Sequence, residues 1–439
     1  MLVNLENKVS QNISIIRFFE ILIFFCIPIA FILGSFLVNV VLVLTSIYLF
    51  LLSVKKQISF EDREIFIFFT ILIFLVINSL LSDVRNYSLY KSISYLRFIF
   101  FLLFGVYFLI TLELKLKKIF VFMLISVVTF VSFDTFIQFL FKVDLFGNKV
   151  DFSHAWGRLS GPFGSEYIIG IYLFCFGFIG LAMLKYVYNV NKITEIIYIS
   201  ILCIIIFLTG ERNAALTTLL FLFILFVVNK KIRITLILST LIVIISCFLI
   251  LKNSEILTKK YSFSSLPTSL EKNVEKIDIK NTKSIYENIK NQTQIINNSH
   301  WFMHYRGGIE IFKNNIFFGS GFKSFRFACN DIQNIKEKKI LCSTHPHNMY
   351  IEFISDTGAL GFLIFLCFTI YMIYYFFKKK LYKNEFDSII FAIFFSFIFP
   401  LKPHGSMFST NNAFMYWYIL TFLIWSFFYK NNSKYSIKR

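Results

Sequence analysis

The chain has 439 residues and a formal net charge of +19, with 57% of its residues hydrophobic, 20% aromatic and only 16% charged. A soluble domain of this length usually carries about a quarter charged residues, and the mean hydropathy of +0.70 excludes that class. The cations stand as short clusters between apolar runs rather than on a basic face interleaved with stacking aromatics, so nucleic-acid binding is excluded too.

Polar residues 1–14 lead, with no cleavable signal pattern, into an apolar run long enough to remain as an anchor. About 20 apolar residues cross a hydrocarbon core as a helix, and only helices or closed barrels satisfy their backbone there. The runs do not alternate as barrel strands do. The expected fold is all-α, a polytopic membrane protein. Segments at 15–33, 36–54, 64–82, 96–113, 118–141, 165–185, 193–209, 213–228, 232–251, 351–377, 387–401 and 413–429 make about twelve transmembrane helices. They divide the chain into an N-terminal bundle at 1–251, a large loop at 252–350 and C-terminal helices at 351–439.

Lysine and arginine set the orientation. With the N-terminus in the cytoplasm, the cytoplasmic connections hold Lys55, Lys56 and Arg63, then Lys115, Lys117 and Lys118, then Lys185 and Lys192, then Lys230, Lys231 and Arg233. Further on come Lys378, Lys379, Lys380 and Lys383, and the tail with Lys430, Lys434, Lys438 and Arg439. The short outer loops hold fewer: Arg85, Lys91, Arg97, Lys142, Lys149, Arg158, Arg212 and Lys402. This is the positive-inside pattern; the loop at 252–350 is lysine-rich and outside, but loops beyond about 60 residues report orientation poorly. All six histidines, His154, His300, His304, His345, His347 and His404, then fall on the outer side. Histidine titrates near neutral pH, so this placement points to chemistry on the outer face. The alternative is that histidines favour loops and most loop length is outside.

The large loop has two halves. Residues 253–299 are rich in Lys, Asn, Ser, Glu and Gln and read as a solvated, partly helical segment; from Trp301 to Phe312 the pattern becomes that of an amphipathic helix at the interface. A glycine turn, Gly319-Ser320-Gly321, follows. Cys329 and Cys342 bracket a lysine-rich stretch that a disulfide would close in an oxidising compartment, whereas Cys26, Cys175, Cys203, Cys247 and Cys367 lie inside apolar runs as small hydrophobes.

The stretch from Cys342 to Gly361 carries the densest signal. Proline disfavours helix just before it, so His345 is expected to be extended, with His347-Asn348 opening the next helix. Steps of about one turn from Asn348 reach Glu352, then Ser355 and Asp356, a polar stripe that must face a watery cavity or partners. Gly358 and Gly361 would allow close helix packing. Asp134 and Gln138, one turn apart in the fifth span, would line a cavity or bond a neighbouring helix.

That stretch resembles the signature of the O-antigen ligase and polymerase superfamily, whose large loop ends in His-Asn before a spaced Gly-x-x-Gly. Upstream, Gly157-Arg158-Leu159-Ser160-Gly161-Pro162-Phe163-Gly164 resembles the family's Arg-x-Ser-Gly-x-Phe segment. Thr209-Gly210-Glu211-Arg212-Asn213-Ala214-Ala215-Leu216 resembles its arginine-at-helix-start motif. Tyr305-Arg306-Gly307 and Phe318-Gly319-Ser320-Gly321-Phe322 resemble its loop helix and glycine turn. Glu211 departs from the pattern, where serine often stands, and leaves ligase against polymerase open. The resemblance implies a GT-C-like fold with a large periplasmic loop. It also implies a multi-pass protein of the bacterial inner membrane with its active site on the periplasmic side. The implied reaction is glycosyl transfer from an undecaprenyl pyrophosphate-linked donor to an acceptor hydroxyl, without nucleotide sugar, metal or other cofactor. The acceptor would be lipid A-core for a ligase or a second lipid-linked repeat for a polymerase.

The residues suit that reaction. The leaving group is a lipid pyrophosphate, and arginine supplies a planar, permanently charged fork matched to its oxygens. Arg212 at a helix start is the expected catalytic cation, with Arg158 and Arg306 binding substrate. His347 is the expected base for the acceptor hydroxyl, with Asn348 and His345 contacting substrate. Each has a structural alternative: Arg158 as an interfacial anchor, Arg306 as a surface residue, His347 as a helix cap. A transporter of lipid-linked sugars would want ionisable groups across the midplane and repeated halves, and neither is visible. His345-Pro346-His347 with His304 is a weak zinc pattern without completing ligands.

Overall fold

The structure, a computed structural model, describes residues 15–54, 62–152, 157–261, 300–332 and 340–430. Lys55, Lys56, His154, the segment 262–299 and the tail residues Lys434, Lys438 and Arg439 lie outside the described residues. Every described element is helical. In chain order they are α1 (Ile15–Phe25), α2 (Ile27–Ile32), α3 (Ser35–Val54), α4 (Asp62–Leu80), α5 (Arg85–Thr111) and α6 (Leu114–Phe141). Next comes α7, which runs from Ile169 to Tyr188 through a π turn at Leu173–Gly177. There follow α8 (Lys192–Leu208), α9 (Arg212–Val228), α10 (Arg233–Asn253), α11 (Glu255–Tyr261), α12 (His300–Asn314), α13 (Phe325–Ile332), α14 (Met349–Lys378), α15 (Glu385–Phe397) and α16 (Thr410–Ile424).

Six of these are long and apolar enough to cross a membrane: Ser35–Val54, Arg85–Thr111, Leu114–Phe141, Ile169–Tyr188, Arg233–Asn253 and Met349–Lys378. The first expected span is broken at Cys26, where Pro28 enters the first turn of α2 and cannot donate to the preceding turn. The eleventh ends at Phe397 rather than running to 401, and the residues beyond it form a loop. Side-chain caps start several helices: Asn191 accepts from Thr194 N at 2.9 Å and Asn384 from Asp387 N at 3.2 Å.

The apolar core runs continuously from Phe24 near the start of the described chain to Phe427 near its end. Phe24 of α1 meets Phe108 of α5 at 4.3 Å, Phe120 of α6 at 5.3 Å and Tyr418 of α16 at 6.3 Å. The C-terminal helices are therefore built into the N-terminal bundle. In α15, Ile389 to Phe394 are all buried, as a helix apolar on every side should be. Outward-facing Phe36, Phe122 and Phe223 are exposed, an apolar surface of the kind that faces lipid.

The two ends of the bundle differ electrostatically. At one, here the far end, two lysines are paired with carboxylates. Lys185 of α7 bridges Glu195 of α8 at 2.7 Å and also Glu385 of α15, and Lys430 after α16 pairs with buried Asp387. Lys117 of α6 lies 5.4 Å from the Trp425 ring there. The other end gathers the first turns of α5, α9, α14 and α16 with the loops 143–164 and 398–409. The candidate site lies at this second end.

Candidate functional site

The site is organised around a break in α14. Gly358 adopts φ +66 and ψ −168 inside the helix, a conformation a side chain rarely takes. The turn after α12 plugs the opening: Ala359 N donates to Ile316 O at 2.7 Å, Ser320 N to Ser355 O at 2.8 Å and Gly321 N to Asp356 O at 3.0 Å. Gly319, also left-handed, passes so close that a Cβ would stand 2.5 Å from Ser355 O; one on Gly358 would stand 2.3 Å from Phe317 O. The role expected for Gly358, helix against helix, is thus a turn against a broken helix. Gly361 does face another helix, at Phe74 of α4.

The polar stripe on α14 is buried against partners, not against a cavity. Glu352 accepts from Ser406 Oγ and from Met407 N at 2.7 Å; Asp356 accepts from Phe325 N at 2.9 Å. The carboxylates thereby fasten the loop 398–409 and the start of α13 to α14. Asn348 is the N-cap, its Oδ1 accepting from Tyr350 N and Ile351 N, while its Nδ2 donates to Pro400 O at 2.8 Å. These bonds commit Asn348 to holding the helix start and the loop together.

His347 immediately precedes that cap with φ +57, a strained value for a residue with a Cβ. The cap itself is Asn348, so His347 is released from that duty. Its ring lies 4.2 Å from His345, 4.8 Å from His304 and 5.2 Å from Trp301, centre to centre, and Nε2 is 3.3 Å from Ser343 Oγ. Burial, then the neighbouring His347, lowers His345 to about 3, so it is a neutral imidazole at physiological pH. Its Nδ1 is 3.0 Å from Thr344 Oγ1, while Nε2 is buried without a partner. Among the described residues, no group of three or more His, Cys, Asp or Glu is placed to hold a metal ion.

The arginines form a separate group. Arg212 is exposed at the first turn of α9, and Arg158 is exposed on the loop whose Leu159 N donates to Thr209 O at 3.1 Å. Burial raises the Tyr261 phenol, with smaller effects from the charges of Glu211, Cys247, Arg212 and Arg158. Glu211, the departure from the family pattern, is buried and accepts from Gly170 N at 2.7 Å, tying α7 to α9. Arg306 lies half-buried on α12, whose Gly308 packs onto Ile351 of α14. Asp134 and Gln138 hold loops rather than a cavity or a helix: Asp134 accepts from Leu145 N at 2.9 Å, and Gln138 Oε1 from Ser160 N and Gly161 N at 3.0 and 2.9 Å.

The loop 398–409 joins the two groups, and sequence reasoning undervalued it. His404 N donates to His347 O at 2.9 Å. On the other side a cavity of about 20 Å³, enough for one water-sized group, is lined by Asn213, Lys402, His404 and Asn412 among others. Lys402 is only 2% exposed, and burial lowers its ammonium to about 7. Burial and adjacent Lys402 hold His404 well below its usual range. The only signal for Lys402 in the chain was a lone lysine beside histidine and proline after a short span.

Cys329 and Cys342 are joined by a disulfide that closes α13 onto the strap leading to His345. Gly307 of α12 packs against Cys329 Sγ, with 3.1 Å to a Cβ built there.

Imidazoles and guanidinium groups are thus gathered at one end of a helical bundle with membrane-spanning apolar helices. Residues 197–366 match the family model described as O-antigen ligase, a span that holds Arg212, Arg306, His345, His347 and Asn348. That match supports a relation to the O-antigen ligase and polymerase superfamily, whose members are glycosyltransferase-type enzymes acting on lipid-linked glycans. No curated protein matches it.

Proposed function

We propose that the chain is an O-antigen ligase-like glycosyltransferase. It transfers a glycan from undecaprenyl pyrophosphate to an acceptor sugar, lipid A-core, at the periplasmic face of the bacterial inner membrane. The observation that carries this reading is the His347 shelf: an imidazole in strained backbone, among two further histidines, tied through the 398–409 loop to the end of the bundle that bears Arg158 and Arg212. The acceptor hydroxyl oxygen attacks the anomeric carbon, its proton passes to the His347 imidazole, and the bond from that carbon to the pyrophosphate oxygen breaks. In-line displacement inverts the centre. Arg212 and Arg158, with Arg306 from α12, neutralise the departing pyrophosphate in this scheme; preorganised charge of this kind is usually the largest catalytic contribution. His345, neutral beside His347, contacts substrate, and Asn348 fixes the geometry.

The reading includes about twelve spans with the N-terminus in the cytoplasm, the division at 1–251, 252–350 and 351–439, and 252–350 as the periplasmic loop. The disulfide supports an oxidising side for that loop. Polymerisation, with a second lipid-linked repeat as acceptor, uses the same donor and chemistry.

The test is transfer by purified protein from a defined lipid-linked donor. His347→Ala should cost about 10²- to 10⁴-fold in rate, and Arg212→Ala should abolish detectable transfer, both at unchanged abundance. Near-normal transfer by either variant removes that residue from the mechanism. Glycan analysis of a deletion strain separates the two acceptors: polymer left on the carrier means ligase, a single-repeat cap means polymerase.

A further inference from the structure

A second cationic group lies where α5 meets the turn after α12 and takes no part in the scheme above. The turn after α12 packs on the first turns of α5: Ser88 Oγ donates to Phe322 O at 3.0 Å, Tyr95 meets Phe322 at 5.1 Å and Tyr87 meets Phe327 at 5.0 Å. This seam aligns Lys91 and Arg97 of α5 with Lys323 and Arg326, which are sequence neighbours of those phenylalanines. All four are half-buried, and Lys323 sits in left-handed backbone at φ +58. The Nε atoms of Arg97 and Arg326 are buried without a hydrogen-bond partner. The carboxyls that face Lys323 are Glu352 and Asp356. Their oxygens already serve Ser406 and Met407 in one case and Phe325 N in the other. Burial, then the charges of Lys91 and Arg326, lowers the Lys323 ammonium to about 8, Glu352 opposing and Arg97 adding.

Four cations in one seam, facing two engaged carboxyls, repel one another unless an anion joins them. Guanidinium forks with unused N–H groups match phosphate oxygens. The seam opens at Tyr87 onto the exposed surface of the turn Asp83–Tyr87. Contacts run from Arg212's neighbour Asn213 through His404 to His347, whose ring meets that of His345. In the scheme above the donor pyrophosphate already has Arg212, Arg158 and Arg306, which leaves the seam for phosphate carried by the other substrate.

We propose that Lys91, Arg97, Lys323 and Arg326 form an acceptor-docking site that binds phosphate groups carried by the acceptor glycan, distinct from the arginines that hold the donor pyrophosphate. This rests on the glycosyl-transfer reading, and the test separates the two. Purified full-length protein is assayed with one lipid-linked donor and with a phosphorylated core oligosaccharide acceptor, intact or phosphatase-treated. Any transfer by the wild type preserves the parent reading. Removing the acceptor phosphates should raise the wild-type acceptor KM about 10- to 100-fold, the worth of one or two charge-assisted bonds. Lys323→Met and Arg326→Gln should each raise it comparably, leave the donor KM unchanged, and lose sensitivity to phosphatase treatment. Arg326→Lys should recover part of the affinity. Lys91→Met, half-exposed and outside the packed turn, gives the same comparison where the other variants fail to fold. Thermal stabilisation by the phosphorylated but not the treated acceptor reads binding without turnover. A rise in donor KM, or unchanged phosphate sensitivity in the folded variants, overturns the proposal.

Discussion

Two glycines separate conformational strain from steric conflict. Gly358 and Gly164 share nearly the same φ, +66 and +65, yet a Cβ on Gly164 meets nothing within 4 Å while one on Gly358 would stand 2.3 Å from Phe317 O. Gly164→Ala, at φ +65 and ψ −110, should then cost about 1–3 kcal/mol, the range for a side chain forced into a sparsely populated positive-φ region. Gly358→Ala must also displace the turn that carries Gly319, and should lose several-fold more folded protein. Thermal unfolding in detergent measures both; equal losses would mean that the clasp yields freely. His347 bears the same kind of strain without being glycine, as do Lys142, Asn189, Lys323 and Lys380, and its backbone carbonyl is held by His404 N.

Among the elements, the strap 340–348 and the 398–409 loop that carries His404 are those whose stability should respond to acid. His345 is lowered from its ordinary value of 6.5 to about 3. Between those values the unfolded chain binds a proton that the folded strap refuses. Stability is therefore full above pH 6.5 and falls as pH drops toward 3. His345→Gln should flatten that fall. The check is hydrogen exchange of residues 340–348 against pH, and a variant as acid-sensitive as the wild type would assign the effect elsewhere. Strap, α13 and α14 are joined by the disulfide, the Asp356 bond and the Asn348 cap, so loosening one end should be felt at His347. Much of this was legible beforehand. The α12 helix, the glycine turn and the cap at 347–348 are short-range patterns that local sterics dictate. The partners of Glu352 and Gln138 were not legible, because a carboxylate or amide on a helix reports only that it needs partners and not which loop supplies them.

At the scale of the molecule, charge is sorted between the two ends. At the far end two cations are held by carboxylates, Lys185 by Glu195 and Glu385 and Lys430 by Asp387. The site end holds Lys402 buried in a cavity wall and the seam of Lys91, Arg97, Lys323 and Arg326. Paired charges lower the cost of burial, and charges left for a ligand keep it until the ligand arrives. If the site end is periplasmic, Thr344→Cys should react with a membrane-impermeant thiol reagent in spheroplasts, and Lys379→Cys only after lysis. The reverse pattern would place the chemistry inside the cell, out of reach of the exported lipid-linked donor.

The sequence alone determined that this chain is a helical membrane protein, where most of its long apolar helices lie, and which residues could carry acid–base or phosphate chemistry. Hydropathy, helix caps and proline or glycine geometry act within a few residues and need no distant partner. Tertiary structure decided that Glu211, Asp134, Gln138, Glu352 and Asp356 are fasteners, that Lys402 and Lys323 belong near the site, and that Gly358 receives a turn and not a helix. Each of those roles depends on which loop returns to which helix end, and only long-range packing sets that.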